Sequence, residues 1–176
     1  VSDRLSVMAA GPHTEEIRFG AACSHALAAP LKVYLPCLSL REGEAVVVDS
    51  TAGMDMVGTG IAAGMDVVFI ASEPTVHGTK TAKQIAAGLA WYGVPHRFVL
   101  TKIMTEAQRI QAEAWLGESV ALVMPFAALT EEDRFSSTLD QLLMQAETIL
   151  CQAGSQRQTR AVACARAGVD FREGKR

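Results

Sequence analysis

Long apolar runs, cysteine pairs and an excess of basic charge are all absent from this chain, and each absence excludes a class of protein. The longest apolar run, 120–129, is interrupted by Pro125 and is too short to cross a bilayer. We therefore predict no transmembrane helix, no signal peptide and no membrane partner. The net charge is −3, and without a basic stripe to neutralise phosphates we predict no nucleic-acid partner.

The cysteines are few and widely spaced. Cys23, Cys37, Cys151 and Cys164 form no C-x-x-C pair. This spacing argues against a disulfide framework and favours a reducing, cytoplasmic location. Apolar residues make up 49% of the 176 positions and charged residues 20%. A chain of this length and composition is typical of one globular domain that folds without disulfides or structural metals.

From Glu44 onward, apolar β-branched runs alternate with stretches of helical periodicity. This alternation is typical of βαβ units. It predicts an α/β fold with a mostly parallel sheet and helices on both faces, because the predicted strands are apolar throughout instead of alternating with polar residues. The predicted strands are 45–49, 66–71, 97–101 and 120–124, with an earlier strand at 4–10.

Three helices are predicted from apolar residues spaced three and four apart. The first covers about 76–91 and ends at Gly93. The second opens with a capping-box pattern at Thr105 and Gln108, which Thr130 and Asp133 repeat before the third. On the second helix the residues expected to face inward are Ala107, Ile110 and Ala114. The third, roughly 133–152, places seven apolar residues on one face: Phe135, Leu139, Leu142, Leu143, Ala146, Ile149 and Leu150.

The domain boundary is predicted from the loss of this periodicity. Residues 1–153 form one predicted domain, within which 11–41 has no assigned element. Residues 154–176 are rich in Ser, Gln, Arg and Gly, and they are expected to form a flexible C-terminal tail.

An apolar run ends at Asp49 and turns directly through a D-S-T-A-G sequence to Gly53. A carboxylate at the carboxyl end of a central strand can reach Mg²⁺, or a water bound to it, beside nucleotide phosphates. Gly53 could offer its backbone N–H to a terminal phosphate without a side chain in the way. The alternative is that Asp49 caps the turn and Gly53 permits it, since aspartate and glycine are common in turns. These residues alone do not separate the two interpretations.

The order of motifs after Gly53 resembles a known family. Met54-Asp-Met-Val-Gly-Thr-Gly60, the 66–71 strand and Glu73-Pro-Thr75 follow in turn. This order is similar to that of the accessory ATPases that insert nickel into carbon monoxide dehydrogenase, and the similarity covers about 5–150. Those proteins belong to the MinD, ParA and nitrogenase iron protein group of P-loop NTPases, which dimerise around ATP and couple its hydrolysis to a switch. One departure is Thr59, where the family usually has a basic residue.

The resemblance implies a set of ligands, partners and site residues. ATP or ADP with Mg²⁺ would be bound, with Asp49 and Gly53 as the catalytic residues and Asp49 reaching the Mg²⁺ through water. The implied partners are a second copy of the chain, in a homodimer, and a client metalloenzyme such as carbon monoxide dehydrogenase.

Two further motifs carry the nucleotide-binding positions that the resemblance implies. Leu100-Thr101-Lys102 resembles a strand-ending N-K motif whose asparagine recognises adenine. Thr101 cannot supply an amide's donor and acceptor together, so its alternative role is that of a strand-end cap. Val123-Met-Pro-Phe126 is similar to a strand followed by I-P, which lies beside the base. The alternative is that Pro125 is a strand exit and Phe126 a core aromatic residue.

A metal site is implied by the same resemblance, again with a departure. The nickel-inserting proteins carry a C-x-C pair where this chain has Gly20-Ala-Ala-Cys-Ser-His25, so only Cys23 is kept. A dimer would then present two thiolates to nickel or zinc at its interface, supplemented by His25, which is a poorer site than four sulfurs. The alternative, a buried and inert Cys23, is the more common situation for a free cysteine.

No G-x-x-x-x-G-K-[ST] motif occurs in the 176 residues. Tight triphosphate binding is therefore not expected without a P-loop from elsewhere. One hypothesis is that the chain, which begins at Val1, is the C-terminal part of an ATP-dependent nickel-insertion ATPase and is inactive by itself. The second is a non-catalytic homologue that acts as a dimerisation or partner-binding module. A MinD-type or ParA-type positioning ATPase is less favoured, because the tail lacks an amphipathic membrane helix and the chain a basic DNA patch.

Overall fold

The structure, a computed structural model, describes residues 15–19, 25–38, 40–41, 43–118 and 120–126, and, between 136 and 152, residues 136, 140, 143–145, 147–149 and 151–152. In chain order, the helices and strands are α1 (Glu15–Arg18), α2 (His25–Tyr34), α3 (Asp55–Gly58), β1 (Val68–Ser72), α4 (Val76–Tyr92), β2 (His96–Ile103), α5 (Glu106–Leu116) and β3 (Leu122–Pro125). Short 3₁₀ turns cover Leu35–Cys37 and Ile61–Gly64.

The three strands form a parallel sheet in the order β1-β2-β3. Ile70 is opposite Phe98, and Val99 is opposite Leu122. Neighbouring parallel strands need a crossover connection, which α4 provides between β1 and β2 and α5 between β2 and β3. Right-handed crossovers that advance in one direction put both helices on the same face of the sheet, and α4 and α5 do pack against each other. The predicted α/β class is thereby confirmed.

The core lies between this face of the sheet and the two helices. Leu89 of α4 and Leu100 of β2 have no solvent exposure, and full burial of such a side chain contributes roughly 1.5–3 kcal/mol. The remaining core residues come mainly from the same elements and are Ile70, Phe98, Ile103, Ala82, Ala86, Val94, Ala112 and Leu116, together with Val57 and Ala62 from the segment before β1.

Local capping residues fix where α4 and α5 begin and end. The Thr75 hydroxyl accepts a hydrogen bond from the Gly78 N–H at 3.0 Å, and α4 ends at Gly93, whose φ of 66° is left-handed. At α5, Thr105 and Gln108 form both hydrogen bonds of the predicted capping box. The predicted start of α5 and the predicted end of α4 at Gly93 are therefore confirmed.

The predicted strand at 45–49 is wrong. Residues 44–50 form no strand, and Val47 is 88% exposed and Val46 45% exposed. An apolar strand is stable when it is paired and covered on both faces. Among the described residues, however, no strand pairs with the edge of β1 that faces away from β2. The composition of 45–49 therefore suits a strand whose neighbours the described residues do not supply.

The predicted inward face of α5 is also wrong. Ile110 is 56% exposed, and Ala107 and Ala114 are exposed as well. The buried residues of α5 are Ala112 and Leu116, which lie four apart on another side of the helix. Alanine gains little from burial, so a stripe with two alanines does not determine which side of a helix faces the core.

Several predictions lie partly or wholly outside the described residues. These are the strand at 4–10, Cys23, the pattern at Thr130 and Asp133, and the tail 154–176. Of the predicted helix 133–152, every described residue is helical, and Leu143 is 57% exposed. Among the described residues, no helix is long and apolar enough to cross a membrane.

Candidate functional site at the carboxyl edge of the sheet

The carboxyl ends of the three strands meet at one edge of the sheet because the strands are parallel. Ser72 ends β1 and Glu73 follows it, Thr101 and Lys102 lie near the end of β2, and Pro125 ends β3. Helices α4 and α5 begin just after β1 and β2, so their N-termini, which carry partial positive charge, lie at the same edge. Open α/β sheets bind ligands at this edge.

An ion pair joins the ends of β1 and β2. The Lys102 ammonium donates a hydrogen bond to Oε1 of Glu73, across 29 positions of sequence. The two side chains are 50% and 49% exposed, so the pair stabilises the fold by no more than about 1 kcal/mol. The main effect of the ion pair is therefore to hold the two side chains next to each other. Its contribution to the stability of the sheet is small.

The backbone at Lys102 is strained. Its φ is 59°, and it is the one non-glycine residue with positive φ in the described part of the chain. The register between β2 and β3 is irregular at the same place, between Leu100 and Ile103. A left-handed conformation costs an L-residue roughly 1–2 kcal/mol, and such strain is concentrated at functional sites. Lys102 is therefore the residue with the unusual backbone conformation at the carboxyl edge of the sheet.

Thr101, the residue before Lys102, also links β1 to β2. Its hydroxyl donates a long hydrogen bond, 3.5 Å, to the backbone carbonyl of Ser72. The Ser72 hydroxyl, in a side chain that is nearly buried, donates to the carbonyl of Glu73 at 3.1 Å. These contacts join β1 and β2 where the strands end.

The other predicted nucleotide-binding residues follow at the end of β3. Pro125 is opposite Ile103, one residue beyond Lys102, and is exposed. Phe126 is 42% exposed, so it is not a core aromatic residue. The structure therefore brings Thr101, Lys102, Pro125 and Phe126 to one edge, with an exposed aromatic ring among them.

Asp49 and Gly53 lie on an exposed segment before α3. Asp49 is exposed, and it has no hydrogen bond or ion pair with the described residues. Gly53 has a φ of 94°, and a Cβ built on it would meet no atom within 4 Å. Its conformation is one that glycine adopts readily, and its backbone is open to solvent. No described hydrogen bond joins these two residues to the edge formed by Glu73 and Lys102.

Two further ion pairs lie on α5, and both involve Arg109. The Arg109 guanidinium donates to Glu106 at 2.9 Å and to Glu113 at 2.7 Å. Its hydrogen bond to Glu106, reinforced by charge attraction, lowers the pKa of that carboxyl, while burial has a smaller opposing effect. The same partners raise the pKa of Arg109. This positive charge is thus neutralised within α5.

Sequence reasoning missed two residues near the predicted ones. Glu73 was noted only as part of a family motif and not as a site residue, because its partner Lys102 is remote in sequence. Lys32 of α2 was not selected either, yet its Cε and Nζ lie 3.1 Å from the position of a Cβ on Gly60. A basic side chain therefore lies beside the Gly58-Thr59-Gly60 turn, which has no basic residue of its own. Both residues are recognised only from their contacts in the folded structure, because no local sequence pattern predicts those contacts.

The described residues contain no metal site of the kind that the sequence predicted. Cys23, the predicted metal ligand, lies outside the described residues. Within the described ranges, no group of three or more His, Cys, Asp or Glu side chains could hold a metal ion. Cys37 and Cys151, which are described, form no disulfide.

The fold and the edge define an α/β domain with a parallel sheet and a polar, strained carboxyl edge. No family model matches the chain, and no solved structure matches it. A curated relative, an uncharacterized ATP-binding protein from Methanocaldococcus jannaschii, is 28% identical over 123 residues. The match covers 70% of this chain and 48% of that protein, so the chain spans about half the length of the relative it matches. The two proteins are distant homologues.

Proposed function

We propose that this chain is part of an ATP-binding protein, in which the carboxyl edge of the sheet binds the nucleotide. The observation that carries the proposal is the strained Lys102 near the end of β2, which lies at the same edge of the sheet as Thr101 and the exposed Phe126. Parallel α/β sheets bind ligands at this edge. The distant relationship to a protein that is named for ATP binding supports ATP as the nucleotide.

In this proposal the nucleotide is held by two regions of the chain. Thr101, Lys102, Pro125 and Phe126 contact the nucleoside. Asp49 and Gly53 belong to the phosphate side, where Asp49 would hold Mg²⁺ through water and the Gly53 N–H would bind a phosphate oxygen. Their accessibility supports this role, because the Asp49 carboxylate has no described partner and, among the described residues, no side chain covers Gly53. The bound Mg²⁺ would supply charge neutralisation to the phosphates.

The chain itself lacks a P-loop, so we propose that another segment supplies the phosphate cradle. Hydrolysis would then depend on the positioning of a water molecule and on charge stabilisation, as is general for phosphoryl transfer. By itself the chain would bind ATP weakly and would not hydrolyse it. The finer proposal is a nickel-insertion role in a homodimer, with nickel as cargo between two Cys23 thiolates and a metalloenzyme such as carbon monoxide dehydrogenase as client. It rests on the order of the sequence motifs.

Calorimetry tests the ATP proposal. ATP and ADP would be titrated with Mg²⁺ into the chain and into a form extended upstream to a P-loop segment. We expect the extended form to bind and hydrolyse ATP and its Asp49→Asn variant to lose hydrolysis. Asp66→Asn is the matched control, because Asp66 is also exposed but lies before β1, away from the carboxyl edge. An extended form that does not bind ATP, or an Asp49→Asn variant that hydrolyses it normally, would refute the proposal.

A second candidate function is a dimerisation or partner-binding module without catalysis. The exposed side of α5, where Ile110 is 56% exposed between Ala107 and Ala114, favours it. Sedimentation of the chain with and without Ile110→Lys tests this function, with Gln111→Lys as an exposed control. A dimer that only Ile110→Lys dissociates would support the module, and a monomer at all concentrations would exclude self-association through α5.

A further inference from the structure

Glu73 and Lys102 present a hydrogen-bond acceptor and a donor side by side at the ends of β1 and β2. The sheet register pairs Ser72 with Leu100, which makes the residues that follow these positions neighbours. Lys102 Nζ has three N–H donors, and one of them is directed to Oε1 of Glu73. The second oxygen of Glu73 accepts no hydrogen bond from the described residues. Both groups therefore keep hydrogen-bonding capacity that the described residues do not use.

The charges of the pair indicate the kind of ligand group it suits. The carboxylate neutralises the ammonium, so the pair attracts a phosphate less strongly than a lone lysine would. A neutral group with a donor next to an acceptor could instead bind both members at once. Each side chain is about half exposed, at 49% and 50%, so such a group can reach them from solvent.

The strained backbone fixes where this pair lies. The left-handed conformation of Lys102 and the irregular register at the end of β2 are retained although they cost stability. Thr101, the neighbouring residue, has one hydroxyl, which donates to the Ser72 carbonyl. A single hydroxyl cannot present a separate donor and acceptor as an amide does, whereas Glu73 and Lys102 together can.

We propose that Glu73 and Lys102 read the base of the bound nucleotide, and that the base is adenine. Glu73 accepts a hydrogen bond from the 6-amino group, and Lys102 donates one to the neighbouring ring nitrogen. Hypoxanthine and guanine carry an oxygen at position 6, which presents an acceptor to the Glu73 carboxylate and is repelled. Glu73 is thus a specificity-determining residue, and this assignment rests on the proposed ATP-binding function.

The test compares ATP with ITP, which differs from ATP by an oxygen in place of the 6-amino group. Calorimetry with Mg²⁺ on the form extended to a P-loop segment gives the ratio of the two affinities. We expect a preference for ATP of about three- to tenfold, the range for one hydrogen bond in a half-exposed site. Glu73→Gln should bring the ratio close to one, because an amide can accept from an amino group or donate to an oxygen. Glu113→Gln, which removes another ion-paired carboxylate, should leave the ratio unchanged.

The outcomes separate this inference from the function on which it rests. Equal affinity of the unaltered protein for ATP and ITP would overturn the base assignment while leaving nucleotide binding in place. An equal loss of affinity for both nucleotides in Glu73→Gln would also overturn it, because that result indicates a structural role. Failure of the unaltered protein to bind either nucleotide would overturn the proposed function itself, and the base assignment with it. Circular dichroism of each variant confirms that it is folded.

Discussion

Replacement of Gly88 by alanine sets helix propensity against packing. Gly88 lies inside α4, where alanine favours the helix over glycine by about 1 kcal/mol. A Cβ at this position would, however, lie 2.4 Å from Cγ1 of Val57 in α3, well inside the optimal carbon–carbon separation of about 3.5–4.0 Å. Propensity alone therefore predicts a more stable protein, whereas the contact predicts a less stable one.

The packing term should win, because α3 is held against α4. Val57 is 7% exposed and part of the core. The Tyr92 hydroxyl of α4 donates to the Val57 carbonyl at 3.1 Å, which resists a retreat of α3. Overpacking a core costs about 1–3 kcal/mol, so after the gain in propensity we expect Gly88→Ala to lower the free energy of unfolding by about 1 kcal/mol.

Urea denaturation followed by circular dichroism measures this effect in a double-mutant cycle. Val57→Ala removes both methyl groups of this side chain, including Cγ1, the atom that a Cβ on residue 88 would meet at 2.4 Å. In the Val57→Ala background Gly88→Ala should be neutral or stabilising, with a coupling free energy of about 1–3 kcal/mol. Gly58→Ala is the control, since a Cβ built there meets no atom within 4 Å. A stabilising Gly88→Ala in the unaltered background, or no coupling to Val57, would refute the reasoning.

Three further predictions concern local features. Thr105→Ala should lower the free energy of unfolding by about 1 kcal/mol in urea denaturation, because the Gln108 N–H loses its cap, whereas Thr105→Ser should retain most of it. The Arg109 hydrogen bond lowers the pKa of Glu106 below its ordinary value of 4.5. Its stabilising contribution is therefore complete above that value and lost as the pH falls through the lower folded pKa. Glu106→Gln should reduce the acid dependence of unfolding below pH 4.5, and an unchanged profile would contradict this. Val47→Lys should change the stability of this chain by less than about 0.5 kcal/mol, because Val47 is 88% exposed, and a larger loss would indicate that 45–49 is buried.

The elements that could be predicted from the sequence are those with local determinants. The capping box at Thr105, the left-handed Gly93 and the apolar runs that became β1, β2 and β3 each act within a few residues of themselves. Their predicted boundaries differ from the structure by about two residues, as expected for helix and strand ends. The parallel orientation of the strands then followed from the alternation of strands and helices along the chain.

The features that could not be predicted depend on partners remote in sequence. The 45–49 segment has the composition of a buried strand, but composition does not say whether a neighbouring strand is present to pair with it. The side of α5 that faces the core is determined by α4 and β2, because α5 packs against both elements and its Ala112 and Leu116 belong to the same core cluster. The Glu73–Lys102 pair spans 29 positions. The left-handed backbone at residue 102 could not be predicted either, because the residue is a lysine and not a glycine or asparagine, which adopt this conformation more readily.

The candidate site therefore has two parts that the described structure links indirectly. Asp49 and Gly53 lead into α3, which α4 holds through Val57 and Tyr92. Glu73 and Lys102 lie at the strand ends and share no described partner with Asp49. Substitutions without shared partners usually act additively. If Asp49 serves the phosphates and Glu73 reads the base, Asp49→Asn should leave the ATP-to-ITP ratio intact, and Glu73→Gln should leave the dependence on Mg²⁺ intact. If either variant changed both the ATP-to-ITP ratio and the dependence on Mg²⁺, the separation of the site into two independent parts would be wrong.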